Sequence, residues 1–132
     1  MKAIAGIADI SALESQGSGP LPRSTYEMIG AAARAHRDAP ALSFFLRVED
    51  HARPEVWTYE TLFTRITATA NFLHELGVGA DDVVAFVLPN LPQTHLAVWG
   101  GQAAGIAFAI NPMLEPSAIA DLLAAGEAKV LI

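Results

Sequence analysis

The chain contains no cysteine, which excludes disulfide bonds and thiolate-held metal sites. Positive charge is scarce: 8 Lys and Arg stand against 14 Asp and Glu, a net charge of −6. The few basic residues are scattered rather than gathered in a stripe. No surface of this kind neutralises a phosphate backbone, so nucleic-acid binding is not expected. Long apolar runs are missing as well; no window approaches the roughly 18 residues that a membrane span requires. The short apolar run after Lys2 is broken at Asp9 and no cleavage pattern follows it, which argues against a signal peptide. A soluble, cytoplasmic protein is the expectation.

Self-sufficient catalytic sets are also absent. The four histidines, His36, His51, His74 and His95, show neither i,i+4 pairing nor an HExxH pattern, so no metal ligands are assigned. His74 reads as a surface residue, whereas His95 falls in the first turn of a helix and is the one substrate-side candidate among them. The acid pairs Glu49-Asp50 and Asp81-Asp82 fall in turns, where neighbouring side chains diverge, and read as solvated loops rather than acid/base pairs. None of Ser11, Ser15, Ser18, Ser24, Ser43 and Ser117 lies in a nucleophile-elbow context. No catalytic residue is assigned.

What the sequence does have is apolar content, 52% over 132 residues, enough for the core of one domain. Residues 1–23 end in a Gly-, Ser- and Pro-rich run and read as a flexible lead-in. Residues 24–132 carry the structure. Ser24-Thr25-Tyr26-Glu27 has capping-box spacing, which opens a helix over 25–37 with Tyr26, Ile29, Ala33 and His36 on one side. Two β-prone runs, 41–48 and 55–59, flank a polar segment and predict a hairpin. Thr58 is placed to cap a helix over 59–76, whose inward face is Leu62, Ile66, Ala70, Leu73 and Leu76; Gly77 follows as a left-handed cap. Then the pattern becomes strand 83–88, helix 92–104, strand 107–110, helix 116–125 and strand 129–132. The first of these strands is apolar without alternation, as when both faces are covered. The fold class is therefore α/β: a helix and a β-hairpin, then a β-α-β-α-β unit favouring a right-handed parallel sheet.

Two further readings concern the last third. Gly100 to Gly105 has half of a phosphate-loop spacing, but Ile106-Ala107 follow where Lys-Ser/Thr belongs, and the run leads into a strand rather than out of one. Close helix packing is the better account of these glycines. A three-stranded parallel sheet leaves two open edges and an uncovered face. That favours the front piece of a longer chain over a complete, small flavodoxin-like domain.

Several motifs, taken together, resemble the adenylate-forming (AMP-binding) acyl-CoA synthetases and ligases. Thr58, Tyr59 and Leu62 match that family's Thr-Tyr-x-x-Leu element. Leu76, Gly77, Val78, Asp82 and Val84 match its Leu-Gly-Val-x-x-x-Asp-x-Val. Pro89, Asn90 and Pro92 match its Pro-Asn-Ser-Pro, while Ala104, Gly105, Asn111 and Pro112 match its Ala-Gly helix end and Asn-Pro loop. The order and spacing hold over about 24–132. Two departures stand out. Leu91 replaces the usual helix-capping Ser, which would shift capping to Asn90 or to Pro92 at the first helical position, and Ala109 replaces the usual Pro.

The resemblance implies the front of the family's large domain, truncated before its ATP-binding and catalytic motifs. It implies a parent ligase that uses ATP, Mg²⁺ and CoA. A carboxylic acid, expected to be fatty, is activated to an acyl-adenylate with release of pyrophosphate and then passed to CoA. The segment alone is expected to be inactive. In some members the loop matching Asn111 and Pro112 lies near the CoA nucleotide, so these two are the cofactor-proximal candidates, although those members carry Gly-Gly there. The alternative is a non-catalytic interaction module derived from the same fold.

Overall fold

The computed structural model describes residues 6–15 and 21–132. Within the stretch read as a lead-in, Ile7–Ser15 forms a helix, α1, that buries none of its residues. The Gly- and Ser-rich run at 16–20 lies outside the described residues.

The helix expected next is α2 (Thr25–Ala35). Ser24 Oγ accepts from the Glu27 N–H at 3.1 Å, satisfying one of the free donors of the first turn. The other half of the box differs: Glu27 Oε2 accepts from the Arg23 N–H, one residue before the cap. The helix stops two residues short of the expected end, at the cap His36. Strands β1 (Pro40–Phe44) and β2 (Glu55–Thr58) pair antiparallel, with a register shift between Pro40 and Leu42. A single 3₁₀ turn, Val48–Asp50, lies in the connection.

Thr58 caps α3 (Tyr59–Glu75) by accepting the Thr61 N–H at 3.2 Å. Four of the five positions read as the inward face, Leu62, Ile66, Ala70 and Leu73, are buried. Leu76 is not; it is 51% exposed, because the helix has ended and the chain turns at Gly77, whose φ of +82° suits a residue without a Cβ. Trp57, 4% exposed, Leu62 and Ile66 form one core cluster, with Tyr26, Ile29, Leu96 and Trp99 packed against it. Tyr26 also binds by its hydroxyl. Thr67 Oγ1 donates to the Phe63 carbonyl, so Tyr26 Oη is the donor in its 2.9 Å bond to Thr67.

The remaining elements alternate as expected: β3 (Val83–Phe86), α4 (Pro92–Ala104), β4 (Ile106–Ala109), α5 (Pro116–Ala125) and β5 (Ala128–Leu131). The sheet is parallel throughout, in the order β4-β3-β5. The earliest strand is therefore central, and Val84, Ala85 and Phe86 are all buried. This matches their unbroken apolar pattern, since a parallel strand with both faces covered has no polar side. Each of these three strands is shorter or shifted by one or two residues against the sequence reading, whereas β1 ends at Phe44, four residues before the expected Val48. Beyond their carboxyl ends β3 and β4 run into Pro89 and Pro112, which have no N–H to continue a ladder.

Helix α3 packs against α4 more extensively than any other pair of elements. Glycine makes this possible. A Cβ on Gly100 would lie 2.7 Å from Thr69 Cβ and 3.3 Å from the Ile66 carbonyl oxygen, closer than non-bonded carbons approach. The glycine run is thus a packing device. Beneath that crossing, Ala70, Leu73, Val78, Val84 and Ala104 make the second core cluster. Ile66, Leu73 and Val84 are the largest fully enclosed side chains, each contributing about 1.5–3 kcal/mol through burial.

Candidate functional site at the carboxyl edge of the sheet

In an open parallel sheet the strand carboxyl ends face one edge, and ligands bind where consecutive crossovers leave in opposite directions. Here β3 is followed by β4 on one side, after which the chain returns across it to β5 on the other. The reversal places the switch point between β3 and β5. The turn leaving β3, residues 87–91, sits on that edge, as does the loop leaving β4, residues 110–115.

The first turn is held by an arrangement that the sequence reading missed. Leucine has no acceptor, so Leu91 gives the first turn of α4 no side-chain cap. Instead Thr94 Oγ1, three residues on, accepts from the Leu91 N–H at 3.4 Å and donates to the Pro89 carbonyl at 2.5 Å. Capping was expected from Asn90 or from Pro92; Pro92 does open the helix, but Thr94 ties the turn. The signal was a Thr three residues after the cap position, which reads equally well as an ordinary helical threonine.

The loop after β4 is built on Asn111. The Ile110 N–H donates to the Phe86 carbonyl at 3.0 Å, extending the ladder by one bond and holding the loop beside the end of β3. Asn111 Oδ1 then accepts from the Met113 N–H at 2.9 Å, a turn in which the side chain mimics backbone. Asn111 and Pro112 are both exposed, and Met113 at the tip is 89% exposed. His95 is half-buried one turn into α4. His74 lies elsewhere, its Nδ1 2.9 Å from the Val78 carbonyl, where it closes the turn after α3.

Electrostatics at this edge limit its chemistry. Residues 87–95 and 110–116 contain neither Lys nor Arg, and among the described residues no three His, Asp or Glu gather into a cation site. The side chains present therefore do not fit MgATP, whose phosphates need cations or a ring of donors. They offer the amides of Asn90, Gln93 and Asn111, the uncharged or acidic groups of Thr94, His95 and Glu115, loop backbone and apolar surface.

At the opposite edge, a charged latch replaces what was read as a solvated turn. Asp82 Oδ2 accepts from the Gly79 N–H at 2.7 Å and from Lys129 Nζ at 2.7 Å, while Lys129 also donates to the Gly77 carbonyl at 2.6 Å. The Lys129 ammonium, aided by the Gly79 N–H, holds the Asp82 carboxyl below its ordinary value. The latch joins the start of β5 to the turn entering β3, so the acid of the Gly-Val-x-x-x-Asp element is structural.

A helix and ribbon, followed by a parallel sheet begun from its central strand, define the N-terminal part of an adenylate-forming large domain. Comparison with known proteins agrees. The AMP-binding enzyme model matches residues 29–132. A marinolic acid–CoA ligase from Pseudoalteromonas sp. (strain SANK 73390) is 30% identical over 131 residues, covering 98% of this chain and 20% of that protein. Acetyl-coenzyme A synthetase from Pseudoalteromonas atlantica is 34% identical over 94 residues, covering 68% of this chain and 14% of that one. Among solved structures, the Klebsiella oxytoca NpsA N-terminal subdomain superposes with a TM-score of 0.70 at 20% identity, covering 84% of this chain and 27% of that one. The chain belongs to the AMP-binding enzyme family. It spans about a fifth of the length of the CoA ligase relative.

Proposed function

We propose that this chain is the front scaffold of an acid–thiol ligase. That enzyme would activate a carboxylic acid with ATP and Mg²⁺ to an acyl-adenylate and pyrophosphate, then transfer the acyl group to CoA with release of AMP. The observation that carries this reading is the family match over 29–132, joined to 30% identity with a CoA ligase along nearly the whole chain. A fatty acid is the substrate class we favour, on the resemblance. The groups serving ATP and Mg²⁺ lie outside this segment in that reading. Its own contribution is to set the first three strands, to lock the turn after β3 through Thr94, and to hold the Asn111 loop at the carboxyl edge.

Asn111 and Pro112 are assigned to the approach of CoA. The anchored loop presents an amide and free backbone at the edge where a nucleotide arm would pass. The test is CoA thioester formation by a ligase carrying this segment, with ATP and a panel of fatty acids. Thioester and AMP should appear in equal amounts. Asn111→Ala should raise the KM for CoA several-fold and leave acyl-adenylate formation unchanged. Thioester formation with no dependence on residue 111 would remove the CoA assignment, and absence of thioester with every acid would remove the ligase reading.

A further inference from the structure

A cleft of about 540 Å³ opens between the first turn of α2 and the carboxyl-terminal halves of α3 and α4. Two of its lining residues, Ala70 and Ala103, are too short to fill the space. On α3, Thr67, Asn71 and His74 recur at intervals of four and three, which places them on one side of the helix. Gln102 stands in the last turn of α4, and Ser24 and Thr25 open α2. One wall is tied in place, because Tyr26 Oη donates to Thr67 Oγ1 at 2.9 Å and joins α2 to α3. No Lys, Arg, Asp or Glu lines the cleft. Much of its hydrogen-bonding capacity is unspent. The Thr25 hydroxyl and the carboxamides of Asn71 and Gln102 have no partner among the described residues. Ser24 Oγ accepts from the Glu27 N–H, which leaves its O–H to donate. A carbonyl only accepts, so His74 Nδ1 donates to Val78, and in the neutral ring Nε2 is left as an acceptor.

We propose that this cleft is a binding site for a neutral polyhydroxylated solute of monosaccharide size. A concave surface with several convergent polar groups is the usual form of a small-molecule site, and the lining selects among ligand classes. A phosphate or carboxylate would enter with no cation to meet it. A nucleobase needs a ring face to stack on, and the Tyr26 ring is already packed on Phe63 and against the Trp57 cluster. A hydroxyl donates and accepts at once, and two neighbouring hydroxyls match a carboxamide, which does the same through two atoms. Asn71 and Gln102 supply two such groups, one from α3 and one from α4. The His74 Nε2 acceptor and the hydroxyls of α2 complete the set. His74 and Gln102 lie in the last turns of their helices, toward the amino edge of the sheet. Occupancy of the cleft therefore leaves the Asn111 loop untouched, and the proposal stands apart from the ligase reading.

Heteronuclear NMR of the 132-residue chain reads the site directly. The probes are the methyl glycosides of glucose, galactose and mannose, and myo-inositol; adenosine and inorganic phosphate represent the disfavoured classes. At least one polyol should shift the side-chain amide signals of Asn71 and Gln102 and the His74 ring signal saturably, while Asn111 stays unmoved. The dissociation constant should be on the order of 1 mM, as a few neutral hydrogen bonds allow. Asn71→Ala and Gln102→Ala should each weaken binding about five-fold, the scale of one neutral hydrogen bond. Both side chains are exposed on helix surfaces, so each variant should keep the wild-type spectrum elsewhere. Gln93→Ala, which removes a carboxamide outside the cleft, should bind as the wild type does. Shifts that grow without saturating for every polyol would mean solvation only and would overturn the proposal. So would undiminished binding by both cleft variants, or stronger shifts of the same signals by adenosine or phosphate.

Discussion

Replacing Gly105 by Ala should be among the most damaging single-methyl additions this chain can receive. A Cβ there would lie 2.5 Å from the Asp82 carbonyl oxygen and 2.7 Å from that of Gly79. Both oxygens are fixed: Asp82 O accepts from Ile106 at 2.9 Å, and Gly79 O accepts from Asp82 at 3.1 Å. Relief would require moving backbone at the entry to the central strand and breaking the start of the β3–β4 ladder. Overpacking usually costs about 1–3 kcal/mol, and with only backbone to yield the upper end applies, about 3 kcal/mol. Gly30→Ala is the control. Its Cβ would meet the tip of the Phe63 ring at 2.9 Å, a side chain able to swing, and the helix gains about 1 kcal/mol from losing a glycine. Its net change should lie within about 1 kcal/mol of zero. Urea unfolding followed by the fluorescence of Trp57 and Trp99 measures both; with a slope of about 2 kcal/mol per molar, Gly105→Ala should lower the midpoint by about 1.5 M. Equal midpoints for the two variants would refute the reasoning.

Other outcomes follow from single contacts. Thr94→Val should destabilise by about 1 kcal/mol by freeing the Leu91 N–H and the Pro89 carbonyl; adding Leu91→Ser to that variant should restore part of the loss, and no recovery in the double variant would count against the cap. Asp82→Asn tests the latch through pH. The folded Asp82 carboxyl lies below its ordinary value, so its contribution is complete above the unfolded value and is lost as pH falls through the folded one. The stability difference between wild type and Asp82→Asn should therefore shrink as pH falls below the ordinary carboxylate range, and a constant difference would contradict the ion pair. Leu73→Ala should cost about 2–5 kcal/mol, being wholly enclosed in the α3–α4 cluster.

Much of the architecture was legible because local rules and tertiary packing agree. Ser24 and Thr58 cap as their spacing demands, Gly77 adopts the left-handed turn, and the unbroken apolar run at 83–86 is a strand covered on both faces. The glycines at 100 and 101 were readable as close packing by elimination, since no cation follows them. Less legible were contacts between residues distant in sequence. Asp82 and Lys129 are 47 positions apart, and nothing local distinguishes that acid from a solvated one. Thr94 was hidden for another reason: a threonine in a first helical turn has several ordinary roles. Leu76 satisfied the helical period yet faces out, because periodicity does not report where the helix stops. At the carboxyl edge the sequence marked Asn111 and Pro112 by resemblance, while the Asn111–Met113 turn that shapes the loop needed coordinates.

The measurement closest to the central claim is ATP–pyrophosphate exchange with a panel of carboxylic acids. It should be run in parallel on the 132-residue chain and on a protein that carries it as its N-terminal portion. The account predicts acid-dependent exchange by the longer protein and none by the short chain, whose carboxyl edge lacks cations. Exchange by the short chain would contradict the scaffold role, and silence from the longer protein with every acid would contradict the ligase.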